Sequence, residues 1–388
     1  MKIVITEQAK KRFLKKVPLV QENDLVTKKP ADGWVQFVDQ QQNFIAKGYL
    51  GQQNKGLGWL VTWKNEPIDQ QFYQQLFRAA KKKRASFYQL KGTTAFRLFN
   101  GEGDGLGGLT IDLYQDYLVL SWYNDTLYQE HAVILAALLA VFPEILGVYE
   151  KIRFTSSLPE SRFVTGKQAI EPLIVEENHV KYATYLNEGL MTGIFLDQKE
   201  VRGRLVDGLA AGKRVLNMFS YTGAFSVAAA MGGAYHTTSV DLAKRSLGKT
   251  QEQFSVNHIN PSDHAIHVMD VFGYFNYAKK KNLGFDLIVL DPPSFARNKK
   301  KVFSVAKNYG ELITDSLAIL NRNGVIIAST NAANLPLERF QKIIETAMQE
   351  KKVKYQLVER HLLPADFAVN PQFKEGNYLK VLFYQIID

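Results

Sequence analysis

The chain has 388 residues, of which 46% are hydrophobic and 22% are charged, a composition typical of a soluble globular protein of two or three domains. It contains no cysteine, which excludes disulfides, thiolate metal sites and a cysteine nucleophile. The formal net charge of +10 favours a polyanionic partner such as a nucleic acid. The histidines are scattered and no apolar run is long enough for a bilayer, so we expect no metal, no membrane contact and a cytoplasmic location.

Residues 1–70 form the first of three blocks. Short apolar runs such as "GWVQFVD", "NFIAKGYL" and "LGWLVTW" alternate with Gly, Asn and Gln turns, which predicts a small β domain. Residues 1–30 are basic, with eight cations against three acids, and Lys28 and Lys29 are among the cations.

Residues 71–170 form the second block, which predicts a small α+β domain. A basic helix is expected over residues 71–84 and an apolar helix over residues 131–142. Strands are expected at "AFRLFN", "LTIDLYQDYLVLSWY" and "GVYEKI".

Residues 171–388 form the third block, in which strands and helices alternate. The strand candidates are "RVLNMF", "HTTSVD", "AIHVMD", "FDLIVLD" and "GVIIAS", and helical stretches at residues 244–257, 304–320 and 337–349 separate several of them. Such alternation predicts an α/β fold with a parallel sheet that is covered on both faces. Two further strands, "KYQLVER" and "YLKVLFYQII", are expected at the end of the chain.

Two glycine-containing motifs need to be distinguished. Gly103, Gly105 and Gly108 have the spacing of a dinucleotide-binding fingerprint, but they lie between two predicted strands, which favours a hairpin loop. In "RVLNMFSYTGAFSVAAAMGG", by contrast, a strand enters a short loop and then a helix of small residues. The amides of that loop and of the helix N-terminus can hold a polar, partly anionic ligand.

The strands that follow this loop also end in polar residues. Asp241 ends the next strand and lies eighteen residues after Gly223, where a carboxylate can accept both hydroxyls of a ribose. Asp270 ends the third strand and can accept from an adenine amino group, and Asp291 ends the fourth. Because the carboxyl ends of parallel strands meet at one edge, these residues predict a ligand site there.

The chain resembles the class I S-adenosylmethionine-dependent methyltransferases, and more closely the ribosomal RNA base methyltransferases with an N-terminal PUA-type domain. The resemblance is carried by "RLFNGEGDGLGGLTIDLYQDYLVL", "MTGIFLDQKEVR", "VLNMFSYTGAFSVAAAMGG", "SVD" and "DPPSF". It implies a Rossmann-like domain with a mostly parallel seven-stranded sheet, preceded by a PUA-like β domain and a small α+β domain. Near the N-terminus, "KKVPLVQEN" departs from a His-Pro-Trp that is frequent in the family.

The resemblance also implies the cofactor S-adenosyl-L-methionine and an RNA partner, ribosomal and of the 23S type, and it leaves a homodimer open. The residues implied to surround the cofactor are Phe195, Gln198, Asn217, Phe219, Ser220, Tyr221, Thr222, Gly223, Asp241, Asp270, Val271 and Asp291. The residues implied to face the target base and to act in catalysis are Asp291, Pro292, Pro293, Phe295 and Asn331. We expect Phe295 to stack on the base, and Arg297 with the lysines at 299–301 to hold phosphates beside it.

The atom that is methylated depends on Asn331. The branch of the family that methylates cytosine C5 needs a thiolate that adds to C6, and this chain has Asn331 where that branch has its cysteine. A nitrogen target is therefore expected, guanine N7 before adenine N6. Alternatively, Asn331 caps the helix that follows it.

Three other functions remain open from the sequence. A cytosine-C5 ribosomal RNA methyltransferase is supported by the family resemblance. An NAD-dependent oxidoreductase would share the strand, loop and Asp241, but should have a Gly-x-Gly-x-x-Gly motif where this chain reads "FSYTGAF". A non-catalytic RNA-binding protein would share the basic segments but would not need Asp241 or "DPPSF".

Overall fold

The computed structural model describes residues 1–27, 31–53, 55–297 and 302–387. These residues form two compact units. Unit 1 comprises the described residues of 1–175, 184–192 and 365–376, and unit 2 those of 176–183, 193–364 and 377–388. The three predicted domain ranges stay a prediction. Within the described residues, no helix is both long enough and apolar enough to span a bilayer.

The described residues up to Thr184 contain twelve strands and four α-helices. In chain order they are β1 (Lys2–Val4), α1 (Glu7–Leu14), β2 (Leu19–Val20), β3 (Gly33–Val38), β4 (Phe44–Leu50), β5 (Gly58–Thr62), α2 (Gln70–Lys83), β6 (Ala95–Asn100), β7 (Leu109–Tyr114), β8 (Tyr117–Trp122), α3 (Asp125–Tyr128), α4 (His131–Val141), β9 (Gly147–Ile152), β10 (Ser161–Gly166), β11 (Leu173–Glu177) and β12 (Val180–Thr184). Two five-stranded sheets result, with the orders β1-β3-β4-β5-β2 and β10-β9-β8-β7-β6, and β11 pairs with β12. The predicted strands and the helices α2 and α4 are confirmed, whereas α1 was not predicted.

The helix α2 illustrates how the sequence specifies an element of unit 1. It begins where the Asp69 carboxylate accepts a hydrogen bond from the Phe72 amide at 3.0 Å, an N-cap that satisfies one of the unpaired amides of the first turn. Phe72, Phe77 and Ala80 lie on its buried face, and Arg78 and Lys82 lie on the opposite side. The helix is therefore amphipathic, and Arg78 and Lys82 are exposed on its outer face.

The glycine-rich loop at residues 101–108 joins the antiparallel strands β6 and β7, as predicted. Its glycines allow close packing: a Cβ on Gly107 would lie 2.3 Å from the Trp59 side chain, and one on Gly108 would lie 2.2 Å from the Tyr49 hydroxyl. Tyr49 and Trp59 belong to the same hydrophobic cluster as the residues of β6 to β9. The loop thus serves packing within unit 1.

The part of the chain after Thr184 that the structure describes contains nine strands and six α-helices. They are α5 (Lys199–Arg204), β13 (Arg214–Met218), α6 (Ala224–Met231), β14 (His236–Asp241), α7 (Arg245–Ser255), β15 (Ala265–Val268), α8 (Val271–Lys280), β16 (Phe285–Leu290), β17 (Phe295–Arg297), β18 (Val302–Ser304), α9 (Val305–Leu317), β19 (Leu320–Thr330), α10 (Leu337–Glu350), β20 (Lys354–His361) and β21 (Lys380–Ile387). All strands predicted for this part are present.

A seven-stranded sheet with the order β15-β14-β13-β16-β19-β21-β20 organises unit 2. The five adjacent strands β15, β14, β13, β16 and β19 are parallel to one another, and β21 is antiparallel to both of its neighbours. Side chains that alternate along β16 enter two different hydrophobic clusters, with Ile288 in one and Val289 in the other. Both faces of the sheet are therefore covered, as the alternation of strands and helices predicted.

The segment after Asp291 contains two strands that were not predicted. The strands β17 and β18 pair antiparallel, with Phe295 opposite Ser304. Each strand has only three residues, and the basic run between them masked the period-two signal in the sequence.

Candidate functional site

The strand order of the seven-stranded sheet reverses between β13 and β16. Met218 of β13 pairs with both Val240 of β14 and Leu290 of β16, so residues 219, 241 and 291 follow side by side at one edge. The pairing of Leu290 with Ala328 of β19 brings Asn331 to the same edge. Open α/β sheets bind their ligands at such a reversal, outside the carboxyl ends of the strands.

The loop at residues 217–223 has an unusual backbone. Phe219, Tyr221 and Gly223 all have left-handed φ angles, of 60°, 53° and 80°. A bulky residue rarely adopts this conformation, which costs about 1–3 kcal/mol and is concentrated at functional sites. A Cβ on Gly223 would also lie 2.5 Å from the Thr250 side chain, so this position requires glycine.

Polar groups are buried on both sides of this loop. Asn217 is fully buried and its Nδ2 donates to Ser226 Oγ at 3.0 Å, while Ser226 Oγ lies 2.7 Å from Ser239 Oγ. Asn217 Oδ1 and Ser220 Oγ are buried and have no hydrogen-bond partner among the described residues. Unpaired buried polar atoms are costly in a native protein, and a ligand is one way to satisfy them.

Two carboxylates lie at the ends of neighbouring strands. Asp241 accepts hydrogen bonds from the Tyr221 amide at 2.9 Å and from the Ala243 amide at 2.8 Å, and remains half-buried. A carboxylate has about four acceptor positions, so two remain for a ligand. Asp270 caps α8 by accepting from the Gly273 amide at 3.1 Å. The Val271 side chain, by contrast, is buried in the core, which leaves its backbone for a ligand.

The segment that precedes α5 is tied to the loop at 217–223. Thr222 Oγ1 donates to the Gly193 carbonyl at 2.7 Å, and the Phe195 and Tyr221 rings have their centroids 5.3 Å apart. Arg202 donates to the Phe195 carbonyl at 2.7 Å and makes a buried bidentate ion pair with Glu177 at 2.7 and 2.8 Å. This pair was not predicted, although the sequence "LDQKEVR" shows a cation one turn after Gln198.

Gln198 lies inside unit 2 beside Asp291. Its Nε2 donates to Asp291 Oδ1 at 3.1 Å and to Ser329 Oγ at 2.8 Å, and its Oε1 has no partner in the described part of the chain. Burial raises the pKa of the Asp291 carboxyl to about 6, although the hydrogen bonds from Ser329 and Gln198 oppose this shift. Ser329 was not singled out by the sequence analysis.

The turn after β16 presents groups outward. Pro292 is buried and Pro293 exposed, Ser294 Oγ donates to Asn331 Oδ1 at 2.6 Å, and the Phe295 side chain is 62% exposed. Asn331 does not cap the next helix, because α10 begins at Leu337 with Pro336 at its N-cap. The Arg297 side chain and residues 299–301, predicted to hold phosphates, lie outside the described residues, as do Lys28 and Lys29.

Together these groups fit a ligand with an amino-acid end and a ribose. The loop amides and the unpaired Ser220 hydroxyl can take the charged end, and the Asp241 carboxylate can take vicinal hydroxyls. Within the described residues, no three His, Asp or Glu side chains are grouped in a way that could hold a metal ion.

Comparison with known protein families agrees with this chemistry. Residues 151–385, more than half of the chain, match the model of the S-adenosylmethionine-dependent methyltransferases. The chain belongs to this family. The methyltransferase therefore uses S-adenosylmethionine, which confirms the predicted cofactor and enzyme class. Its residues 3–63 match the model of a PUA-like domain, which confirms the predicted type of the N-terminal domain.

Individual relatives of this methyltransferase have informative names. It is 51% identical over 346 residues to "Putative ribosomal RNA large subunit methyltransferase YwbD" of Bacillus subtilis (strain 168). The aligned region covers 88% of this chain and 87% of the relative. It is 31% identical to ribosomal RNA large subunit methyltransferase I of Shewanella denitrificans, over 83% of this chain and 82% of the relative. Its fold matches the crystal structure of SMU.776, a putative methyltransferase complexed with SAH, with a TM-score of 0.94 and 47% sequence identity. The match covers 99% of this chain and 100% of that chain.

Proposed function

We propose that this methyltransferase transfers a methyl group to a base of large-subunit ribosomal RNA, and that the acceptor atom is guanine N7. The names of the relatives from Bacillus subtilis and Shewanella denitrificans support the substrate class. The net charge of +10 and the PUA-like domain also suit a polyanionic substrate.

In this proposal the strand-edge loops hold the cofactor. Asp241 accepts the ribose hydroxyls, Asp270 accepts from the adenine amino group, and Phe195 lies against the bound ligand. The amides at residues 219–223 and the start of α6 hold the amino-acid end, with Ser220 Oγ as a further partner. When bound, S-adenosylmethionine supplies an electrophilic methyl group, and the protein contributes orientation and the exclusion of water. Gln198, whose Oε1 has no partner among the residues that the structure describes, links this region to Asp291.

The target base binds against the turn at residues 291–295 and contacts the side chain of Asn331. The proline pair fixes the backbone carbonyls of this turn, and the exposed Phe295 ring offers a face for stacking. Such an arrangement requires a base that is unstacked or flipped out of a helix. Asp291, with its raised pKa, accepts a hydrogen bond from the base as a carboxylate near neutral pH.

The observation that carries the choice of guanine is the orientation of Asn331. Its Oδ1 accepts from Ser294, which leaves the NH₂ group to donate. Guanine presents two acceptors, O6 and N7, on the edge concerned, whereas adenine presents a donor amino group beside N7. A donating Asn331 therefore matches guanine, with O6 bound and N7 directed at the methyl group.

Cytosine C5 is the alternative target that the family resemblance offers. That carbon becomes nucleophilic only after a strong nucleophile adds to C6, and neither Asn331 nor any cysteine supplies one here. Guanine N7 carries an exposed lone pair and needs no covalent activation.

Base-substituted transcripts test the proposal. Large-subunit ribosomal RNA transcribed with 7-deazaguanosine should accept no labelled methyl group, because its guanines lack N7. A matched transcript with 5-fluorocytidine should be methylated normally and form no covalent adduct on a denaturing gel. Methylation of the 7-deazaguanosine transcript, or an adduct with the 5-fluorocytidine transcript, would contradict the assignment.

A further inference from the structure

A basic pocket of about 520 Å³ lies in unit 1, between the end of α2 and the end of α4. Its lining includes Arg78, Lys81, Lys82, Tyr88 and Val141. None of these residues belongs to the proposed cofactor or base sites. The pocket therefore needs an explanation of its own.

Two cations of this pocket lack an acidic partner in the described part of the chain. Arg78 donates only to Gln74 Oε1, at 3.2 Å, and Lys82 makes no ion pair. Both are exposed, and they lie four residues apart on one face of α2, with Cβ atoms about 5–6 Å apart. Such a pair can contact neighbouring phosphates of one strand.

The neighbouring cations are already used within unit 1. Lys81 donates to Glu144 at 2.8 Å and to the Val141 carbonyl at 3.2 Å, and Lys83 donates to Asp104 at 2.8 Å. Lys81, Lys82 and Lys83 also lie in the last turn of α2, where cations stabilise the helix dipole. Arg78 lies before that last turn, so the dipole does not account for its position.

Tyr88 adds an aromatic surface to the pocket. It belongs to a short 3₁₀ turn, Phe87–Gln89, and its ring lies nearly perpendicular to the Phe96 ring with the centroids 5.1 Å apart. This contact fixes the side chain, yet 40% of it remains exposed. Burial and the nearby Glu144 raise the pKa of Tyr88, so the side chain carries no negative charge that would repel phosphates.

We propose that this pocket binds a single-stranded segment of the RNA substrate, with phosphates on Arg78 and Lys82 and an unpaired base stacked on Tyr88. Unpaired cations beside an aromatic ring are the combination that single-stranded nucleic acids require, because phosphates and bases alternate along the strand. An acidic polypeptide would use the cations but would leave the ring without a function. The inference rests on the proposed function, since it takes RNA as the substrate, and it adds a second contact outside the catalytic site.

The test uses the full chain and a matched control. The double variant Arg78→Ala/Lys82→Ala is compared with Arg339→Ala/Lys342→Ala, which removes the same two charges from exposed positions one turn apart on α10. Filter binding to transcribed large-subunit ribosomal RNA over a range of salt concentrations gives the affinity and its salt dependence. All four tryptophans lie in unit 1, so the urea midpoint of tryptophan fluorescence verifies that unit 1 is folded in every variant.

We expect the pocket double variant to bind RNA at least tenfold more weakly at low salt, with a salt slope about 1.4 smaller, because two contacts at about 0.7 each are lost. Tyr88→Ala should weaken binding at least fivefold without changing the slope, and Tyr88→Phe should bind like the wild type, since stacking needs only the ring. S-adenosylhomocysteine affinity should stay unchanged in all of them.

Several outcomes would overturn the inference. An equal loss of RNA affinity in Arg78→Ala/Lys82→Ala and in Arg339→Ala/Lys342→Ala would show that only the total charge matters. Unchanged RNA affinity together with lost binding to polyglutamate would assign the pocket to an acidic polypeptide. If the wild type methylates ribosomal RNA while the pocket variants bind it normally, this inference alone fails; if the wild type neither binds nor methylates it, the proposed function fails.

Discussion

Replacing Asp291 by Asn should stabilise unit 2 while it impairs methyl transfer. Burial raises the pKa of Asp291 from the ordinary 3.8 to about 6, so the ionised carboxylate that prevails at neutral pH is disfavoured in the folded protein. An asparagine has nearly the same shape, keeps an oxygen that accepts from Gln198, and carries no charge. The substitution therefore removes the cost of a buried charge.

The magnitude follows from the two pKa values. The folded state holds the proton more tightly than the unfolded state, so stability falls as the pH rises from about 4 to about 6, and the whole cost is present above pH 7. A pKa difference between 3.8 and about 6 corresponds to about 3 kcal/mol at pH 7.5. At pH 5, about half of this gain should remain, and below the unfolded pKa it should vanish.

The assay has to report on unit 2, which contains no tryptophan. Hydrogen exchange with mass spectrometry, on peptides that cover β13 and β16 at increasing urea concentrations, measures the opening free energy of the sheet itself. Asp315→Asn is the matched control, because Asp315 is in a partly exposed ion pair with Lys279 at 2.6 Å and its loss should change stability by less than about 1 kcal/mol.

The gain in stability from Asp291→Asn should depend on pH and be confined to unit 2. A variant that is less stable than the wild type at pH 7.5, or whose gain is as large at pH 4 as at pH 7.5, would refute this expectation. Full methyl transfer by the variant would separately remove Asp291 from the proposed base site.

Three further changes test individual contacts of the site. Asp241→Ala should weaken the binding of S-adenosylhomocysteine by about 1.5–3 kcal/mol in calorimetry, because it removes charge-assisted hydrogen bonds, and tighter binding of NAD than of S-adenosylhomocysteine by the wild type would contradict the cofactor site. Gly223→Ala should lower stability by about 1–3 kcal/mol and weaken cofactor binding, since its φ is 80° and a Cβ would lie 2.5 Å from Thr250; an unchanged urea midpoint for unit 2 peptides would argue against this. Phe295→Ala should lower kcat/KM for RNA at least tenfold with cofactor affinity unchanged, and full activity would exclude the stacking role.

The strand edges of unit 2 could be predicted from the sequence because two local signals coincide there. Apolar runs such as that of β16 end abruptly in polar residues, and parallel strands bring those ends together. The sequence therefore predicts Asp241 and Asp291 at one edge of the sheet. The identity of the ligand, S-adenosylmethionine, follows from the family resemblance and not from the periodicity of the sequence.

Other features depend on contacts that no local pattern encodes. Gln198 and Ser329 are 131 residues apart in the chain and meet only in the folded unit, and the buried pair of Glu177 and Arg202 joins residues 25 positions apart. The left-handed backbone of Phe219 contradicts the local preference of a bulky residue, so sequence propensity points away from it. Strain of this kind is expected at sites where function overrides local preference.

The identity of the methylated nucleoside tests the central claim most directly. Ribosomal RNA from a strain that lacks this methyltransferase is incubated with the purified enzyme and S-adenosylmethionine carrying a labelled methyl group, then digested and analysed by mass spectrometry. The proposed function predicts label in 7-methylguanosine from the large-subunit RNA and none after Asp241→Ala. Label in 5-methylcytidine, or no label in ribosomal RNA, would contradict it.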